Sequence, residues 1–253
     1  MPAFMTSLFQ RTGIGSLWPI ALVLLLWQMA SLLSLVPPTL LPAPSAIAAR
    51  LVAQLQSADF LFNIGQTLIR LFAGFSLALA AGVLLGLAMA LGGEAVLAPV
   101  LRLLSPIPKI ALYPALVLLL GFGHASKIGL VVSETVFPIL WATFHGARAV
   151  QPKLLWAAQA AGAGRAAVVF SVLLPSALPS ILTGCRIGLV IACINVFLAE
   201  MISSTDGLGH LLVLAARSYK VVDMFVPLVL ISTVGLCLSA LLQAIRQRSA
   251  AAF

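Results

Sequence analysis

Charge is what this sequence has least of. Only 8% of its 253 residues are Asp, Glu, Lys or Arg, against about a quarter in a soluble globular domain, so a soluble fold is excluded. Long uncharged runs remain between the charges, and with a mean hydropathy of +1.17 the chain reads as a polytopic membrane protein. Acidic residues are the scarcest charged class, six against 14 basic. The resulting excess of +8 fits Lys and Arg held in cytoplasmic loops. No basic stretch is interleaved with aromatics, so no nucleic-acid partner is expected. Three cysteines, Cys185, Cys193 and Cys237, are too few and too scattered for a disulfide framework or a metal site, and read as small packing residues. His124, His145 and His210 are equally scattered near span ends, and no metal is expected. No G-x-x-x-x-G-K-[S/T] occurs, which excludes ATP binding by a P-loop.

What is present is a series of apolar runs separated by punctuation. Residues 1–15 form a tail with Arg11, and a first span is expected over about 16–36. It is too long for a bare signal-peptide core and is followed by no clear cleavage site. Pro37-Pro38 stops it, and Ser45 is expected to N-cap an interfacial helix over 45–57. A second span over about 71–91 carries Gly74, Ala78, Gly82, Gly86 and Ala90, each four residues from the next. Such a ridge lets membrane helices approach closely, so it is expected to face another helix. Gly92-Gly93 ends this span, and an amphipathic piece with Arg102 follows. A third span is expected from Ser105 to about Leu120, kinked at Pro114, and a fourth over about 128–147 with Glu134 and Pro138. The fifth, about 180–202, carries Arg186, Asn195 and Glu200. After an outer segment with a turn at Asp206-Gly207, a sixth runs over about 224–245 to Arg246 and Arg248. Six spans put both termini inside. Arg11, Arg102, Lys109, Arg148, Lys153, Arg165, Arg246 and Arg248 then lie on the cytoplasmic side, and Arg50, Arg70, Lys127, Arg217 and Lys220 outside. The expected fold is therefore all-α, in one transmembrane domain over residues 1–253.

Between the fourth and fifth spans lies W-A-A-Q-A-A-G-A-G-R-A-A-V-V-F-S-V-L-L-P, Trp156 to Pro175. A helix opening on Trp156, with Ala157, Ala158, Ala161 and Gly162, offers a shallow face to a partner's backbone, and Arg165 adds a cation. Pro175 and Pro179 are expected to break the helical register before the chain re-enters the membrane. Three residues separate Ala157-Ala158 from Gly162, and nine separate Gly162 from Val172-x-Leu174-Pro175. This spacing resembles the EAA loop of bacterial ABC importer permeases. Trp156 departs from that pattern, which usually has Glu there.

Other fragments carry the same resemblance in the same order. They are Leu41-Pro42-Ala43-Pro44-Ser45, Thr67-Leu68-Ile69-Arg70 with Gly74-Phe75, Pro106-Ile107-Pro108 with Pro114, Gly121-Phe122-Gly123, Ala199-Glu200-Met201 and Gly207-Leu208-Gly209. Together they are similar to the inner-membrane permeases of binding-protein-dependent importers, nearest the nitrate, sulfonate and taurine subgroup. The resemblance implies a permease dimer, most simply a homodimer, two ABC ATPase subunits on the cytoplasmic side, a solute-binding protein outside, and a place in the bacterial inner membrane. ATP and Mg would be used by the partner ATPase, and this chain would bind no cofactor and catalyse no covalent step. The loop 156–175 would be the coupling helix.

Four residues are candidates for the pathway: Glu134, Arg186, Asn195 and Glu200. A charge at the bilayer centre costs about 3 kcal/mol on insertion scales, so Glu134 needs a partner or a water-filled cavity. Arg186 and Asn195 are its expected neighbours. An ion-coupled secondary transporter is the alternative, with Glu134, Arg186 and Glu200 as a relay. A membrane-embedded enzyme or anchor has no His, Cys or acidic cluster to support it.

Overall fold

The computed structural model describes residues 18–251. Arg11 and the N-terminal tail lie outside the described residues, as does the side chain of Arg248. Every regular element among the described residues is helical: α1 (Trp18–Leu32), α2 (Pro44–Gln54), α3 (Ala58–Ala88), α4 (Glu94–Leu104), α5 (Tyr113–Leu120), α6 (His124–Arg148), α7 (Pro152–Ala160), α8 (Arg165–Val168), α9 (Leu174–Ser203), α10 (Leu208–Arg217) and α11 (Val221–Ala251). Wide π-type turns follow α3 at Met89–Gly93 and α8 at Val169–Leu173, and a 3-10 turn, Lys109–Leu112, precedes α5.

Among the described residues, four helical segments are long and apolar enough to cross a membrane: Ala58–Leu104, His124–Arg148, Arg165–Ser203 and Val221–Arg246. Over the described residues the expected first and third spans correspond to shorter apolar helices, Trp18–Leu32 and Lys109–Leu120. The described part of the first is the 15-residue α1, closed by a turn at Ser34 ahead of Pro37-Pro38. The third is a four-residue 3-10 turn followed by the eight-residue α5. Pro106 and Pro108 keep its approach non-helical, and Pro114 falls in the first turn of α5, where a missing N–H costs nothing, so it starts the helix rather than kinking it. The expected second span begins earlier, because Asp59 to Arg70 belongs to the same helix. Gly92, at φ +120°, kinks the chain between α3 and α4.

The prolines of the 156–175 region also act differently from expectation. Helix continues through them, with Pro175 in the first turn of α9 and Pro179 inside it. A proline ring clashes with the carbonyl four residues upstream, and the wide turn Val169–Leu173 lies directly before Pro175. The strain is absorbed there instead of ending the helix.

The described residues fall into two compact units. The first comprises residues up to Leu61 together with Leu212–Pro227. In it Ser45 does not cap α2, whose N-cap is Ala43. Its N–H donates instead to Gln28 Oε1 at 3.1 Å, and Gln28 Nε2 returns a bond to Ser45 Oγ at 3.1 Å. Arg50 pairs with Asp223 at 2.5 Å, Gln54 Nε2 donates to the same carboxylate, and Trp27 packs on Phe225.

The second unit, Phe62–Leu211 with the chain from Leu228 onward, has α6 at its centre. Gly74, Gly82 and Gly86 of α3 abut it so closely that an added Cβ would lie 2.6 Å from Val131 Cγ1, 2.9 Å from Ile139 Cβ and 2.6 Å from Thr143 Cβ respectively. Ala78 of the same row is fully buried. Both rows advance together, so α3 and α6 run parallel. On its other side α6 meets α9 antiparallel, with Gly146 against Ser180 and Gly184 against Ala142. Small residues on both faces let three helices approach to backbone contact, which is how membrane helices gain dispersion energy without a hydrophobic drive between them.

Candidate functional site

Asn63, Thr67 and Arg70 lie at helical spacing on the face of α3 that continues into the glycine row, and all three are buried. They meet Glu200, near the end of α9 and 1% exposed. Arg70 Nη1 donates to Glu200 Oε1 at 2.7 Å. Thr67 Oγ1 donates to the same carboxylate, 2.9 Å from Oε2, and accepts the N–H of Leu208 at 2.9 Å. Gly209 N–H donates to Glu200 Oε2 at 3.0 Å, and Gly207 N–H to Asn63 Oδ1 at 2.6 Å. The rest of the Arg70 guanidinium is used as well: Nη2 on the Asp206 carboxylate, Nη1 on the Asp206 carbonyl, and Nε on His124 Nδ1 at 3.3 Å. Beside it the buried Lys127 donates to the carbonyls of Phe122 and Gly123.

The bend between α9 and α10 depends on Gly207, at φ +97°. A Cβ there would overlap the Glu200 carboxylate, so both backbone and packing demand glycine. The cluster is a latch that joins α3, the start of α6, the end of α9 and the 204–209 loop. Both oxygens of Glu200 are taken by protein donors. Three fragments of sequence singled out separately, Thr67–Arg70, Ala199–Met201 and Gly207–Gly209, converge here. Asn63, Thr67, Arg70 and Asp206 were not legible as site residues; the signal was a basic and an acidic residue inside otherwise apolar helices.

The other pathway candidates are not brought together. Glu134 Oε1 accepts the backbone N–H of Lys109 at 3.2 Å, and its Oε2 lies 3.8 Å from Lys109 Nζ. Lys109 also donates to the carbonyls of Ser105 and Ile107 and sits 4.3 Å over the Phe137 ring. Glu134 therefore staples the approach to α5 onto α6, and its partner is Lys109 rather than Arg186 or Asn195. Arg186 is exposed and makes no ion pair among the described residues. Asn195 is buried and donates to the Ile191 carbonyl of its own helix. The relay of Glu134, Arg186 and Glu200 is not assembled. Glu134→Gln keeps the acceptor for the Lys109 N–H, so folded yield is expected to stay near wild type, with a stability loss of at most about 1 kcal/mol for a partly exposed pair. A thermal melt of the purified chain checks this.

The loop helix is built differently from its sequence reading. α7 starts at Pro152, whose fixed φ suits a first helical turn, so Trp156 lies mid-helix rather than at its start. Trp156 is 64% exposed, and Ala157 and Ala161 are exposed with it. Ala158 faces the other way, packing with Leu155 against the cluster of Val168, Leu173 and Ala177. Gly162 is not inside a helix. It stands just past the end of α7 at φ +84°, its N–H bonded to Gln159 O at 2.9 Å and that of Ala163 to Ala158 O at 3.0 Å. This is the Schellman pattern of helix termination, which places glycine at this position. No atom lies within 4 Å of where its Cβ would be, so the outer side of this bend is open. Arg165 is exposed just beyond it, and Pro175 is half-buried.

The chain matches the family described as "Binding-protein-dependent transport system inner membrane component" over residues 78–251. It is 30% identical over 242 residues to the taurine transport system permease protein TauC of Escherichia coli (strain K12), covering 92% of this chain and 87% of that one. It is 32% identical to a probable ABC transporter permease protein of Haemophilus influenzae, covering 87% and 89%. It is 30% identical to a putative aliphatic sulfonates transport permease protein, SsuC, of Bacillus subtilis (strain 168), covering 87% and 80%. Its fold is similar to that of a chain in inward-facing structures of the MetNI methionine ABC transporter, with a TM-score of 0.66, 18% identity, and coverage of 75% of this chain and 95% of that one.

Proposed function

The chain belongs to the family of inner membrane components of binding-protein-dependent transport systems, and on that premise we propose that it forms the membrane passage of an ATP-driven importer for taurine or a related small aliphatic sulfonate. The relatives named for taurine and aliphatic sulfonates support the substrate class. In this reading the whole chain acts as one permease domain of six spans, with both termini on the cytoplasmic side of a bacterial inner membrane. Two copies pair, two ATPase subunits using ATP and Mg bind from the cytoplasm, and a solute-binding protein delivers the sulfonate from outside. The chain itself contributes shape and movement rather than covalent chemistry.

The observation that carries the coupling role is the outward face of α7. A nine-residue helix with no buried residue presents Trp156, Ala157 and Ala161, ends in the open bend at Gly162, and passes through Arg165 and the wide turn into Pro175 and α9. A partner gripping this face would hold a lever joined to α9, which packs along α6. Trp156 supplies an aromatic anchor of the kind favoured at protein interfaces, so an acid at that position is not needed for grip.

The test is Gly162→Asp beside Gly162→Asn. Asn tolerates positive φ better than most residues, and no neighbour in the chain obstructs either side chain. Both variants are expected to insert and melt near wild type. In the assembled transporter, Gly162→Asp is expected to hydrolyse ATP without driving uptake. Uptake at the wild-type rate by Gly162→Asp would remove this bend from the coupling interface.

A further inference from the structure

Between α9 and α11, within the second unit, lies a groove of about 470 Å³. Val190, Cys193 and Phe197 belong to one wall, and Ile231, Gly235 and Ser239 to the other. Gly235 stands beside Cys193, since an added Cβ would lie 3.5 Å from its Sγ. Leu242, further along α11, packs against the cluster that holds Ile181 and Cys185. The two helices therefore run antiparallel, and Ser239 marks the end of the groove nearer the start of α9. Ser239 is 9% exposed and its Oγ has no hydrogen-bond partner. Ser232 and Thr233 of the same helix donate to the carbonyls of Leu228 and Val229, so Ser239 forgoes a bond that its neighbours make. Arg186 lies toward the same end. It precedes Val190, Cys193 and Phe197 at helical spacing on one face of α9, and it is exposed with no ion pair among the described residues. A cation inside an apolar segment needs a polar partner or water.

We propose that this groove holds the transported solute, and that the solute class it fits is an alkanesulfonate, an anionic head on an aliphatic chain. The sulfonate would pair with the Arg186 guanidinium, and the Ser239 hydroxyl would donate to one of its oxygens. The chain would lie along Val190, Phe197 and Ile231. Among the described residues no acid lines the groove, so the ammonium of taurine finds no partner there and an uncharged tail is preferred. An acyl chain would cover the same walls and leave both polar groups unpaired. The inference rests on the chain being a sulfonate permease, and adds where the sulfonate is held and which tail suits it.

Uptake and binding test it together. The transporter, complete with ATPase and solute-binding protein, is reconstituted in proteoliposomes and given radiolabelled propanesulfonate. Arg186→Gln is expected to lower uptake about tenfold, the weight of a hydrogen bond to a charged group, with the thermal melt unchanged, and Arg186→Lys to keep most of the uptake. Ser239→Ala should lower uptake about threefold without lowering the melt, because its hydroxyl bonds to nothing in the fold. The permease alone, followed by scintillation proximity, should bind propanesulfonate in preference to taurine. A wild-type transporter that takes up no sulfonate would overturn the importer reading and this inference with it. Wild-type uptake that is indifferent to Arg186→Gln and Ser239→Ala, or taurine bound by the permease as tightly as propanesulfonate, would overturn this inference alone. Loss of permease pairing in either variant, seen by size-exclusion chromatography, would assign the groove to the contact between copies and overturn it as well.

Discussion

Arg70→Met is expected to be the most damaging single substitution away from the loop helix. It leaves the Glu200 carboxylate buried with its cation gone, and breaking one side of a buried pair costs about 3–5 kcal/mol. Arg70 also holds the Asp206 carboxylate and carbonyl and the His124 ring, so the 204–209 loop and the start of α6 should loosen together. The purified variant is expected to melt well below wild type and to yield little folded protein. The informative comparison is Arg70→Met with Glu200→Gln. The amide removes the stranded charge and still accepts the Gly209 N–H, and Asp206, 29% exposed, can turn its own charge to solvent. The double variant should recover more than half of the lost stability, because a buried pair costs far more to halve than to delete. If both variants melt at the same temperature, the latch does not work through the Arg70–Glu200 charge pair.

Gly86→Leu should separate α3 from α6. The first side-chain atom alone would lie 2.6 Å from Thr143 Cβ and 2.7 Å from the Leu140 carbonyl, and backbone cannot give way as a flexible side chain does. Overpacking of this kind costs about 1–3 kcal/mol. Gly65→Leu on the same helix is the matched control, since nothing lies within 4 Å of its added Cβ. Loss of folded yield is expected for Gly86→Leu and near-normal yield for Gly65→Leu. Equal yields would mean that the glycine row tolerates bulk and does not set the helix spacing.

The sequence made some of this architecture plain and hid the rest for identifiable reasons. The row Gly74, Ala78, Gly82 and Gly86 is a local pattern with a fixed helical meaning, so the need for a close neighbour was legible. Which neighbour was not, because sequence order constrains which spans can be adjacent but not their register. The same limit misdirected Glu134. Arg186 and Asn195 are on a helix that does pack on α6, yet the carboxylate points to Lys109, which approaches from a short non-helical stretch. The ends of the apolar runs were read from hydropathy, and hydropathy does not see that Asn63, Thr67 and Arg70 can be buried by partners 130 or more residues away. Gly162 is the opposite case. Its neighbours have high helix propensity, and only the backbone, at φ +84°, reveals that it ends a helix rather than sitting within one.

The central claim is that this chain conducts a small sulfonate inward when driven by ATP through α7. Uptake of radiolabelled taurine into proteoliposomes tests it most directly, with the permease, its ATPase partner and its solute-binding protein reconstituted and ATP supplied on the ATPase side. Uptake that needs all three proteins, stops with vanadate, and is lost in Gly162→Asp while ATP hydrolysis continues is the predicted result. Uptake by the permease alone, driven by an ion gradient and indifferent to ATP, would contradict it.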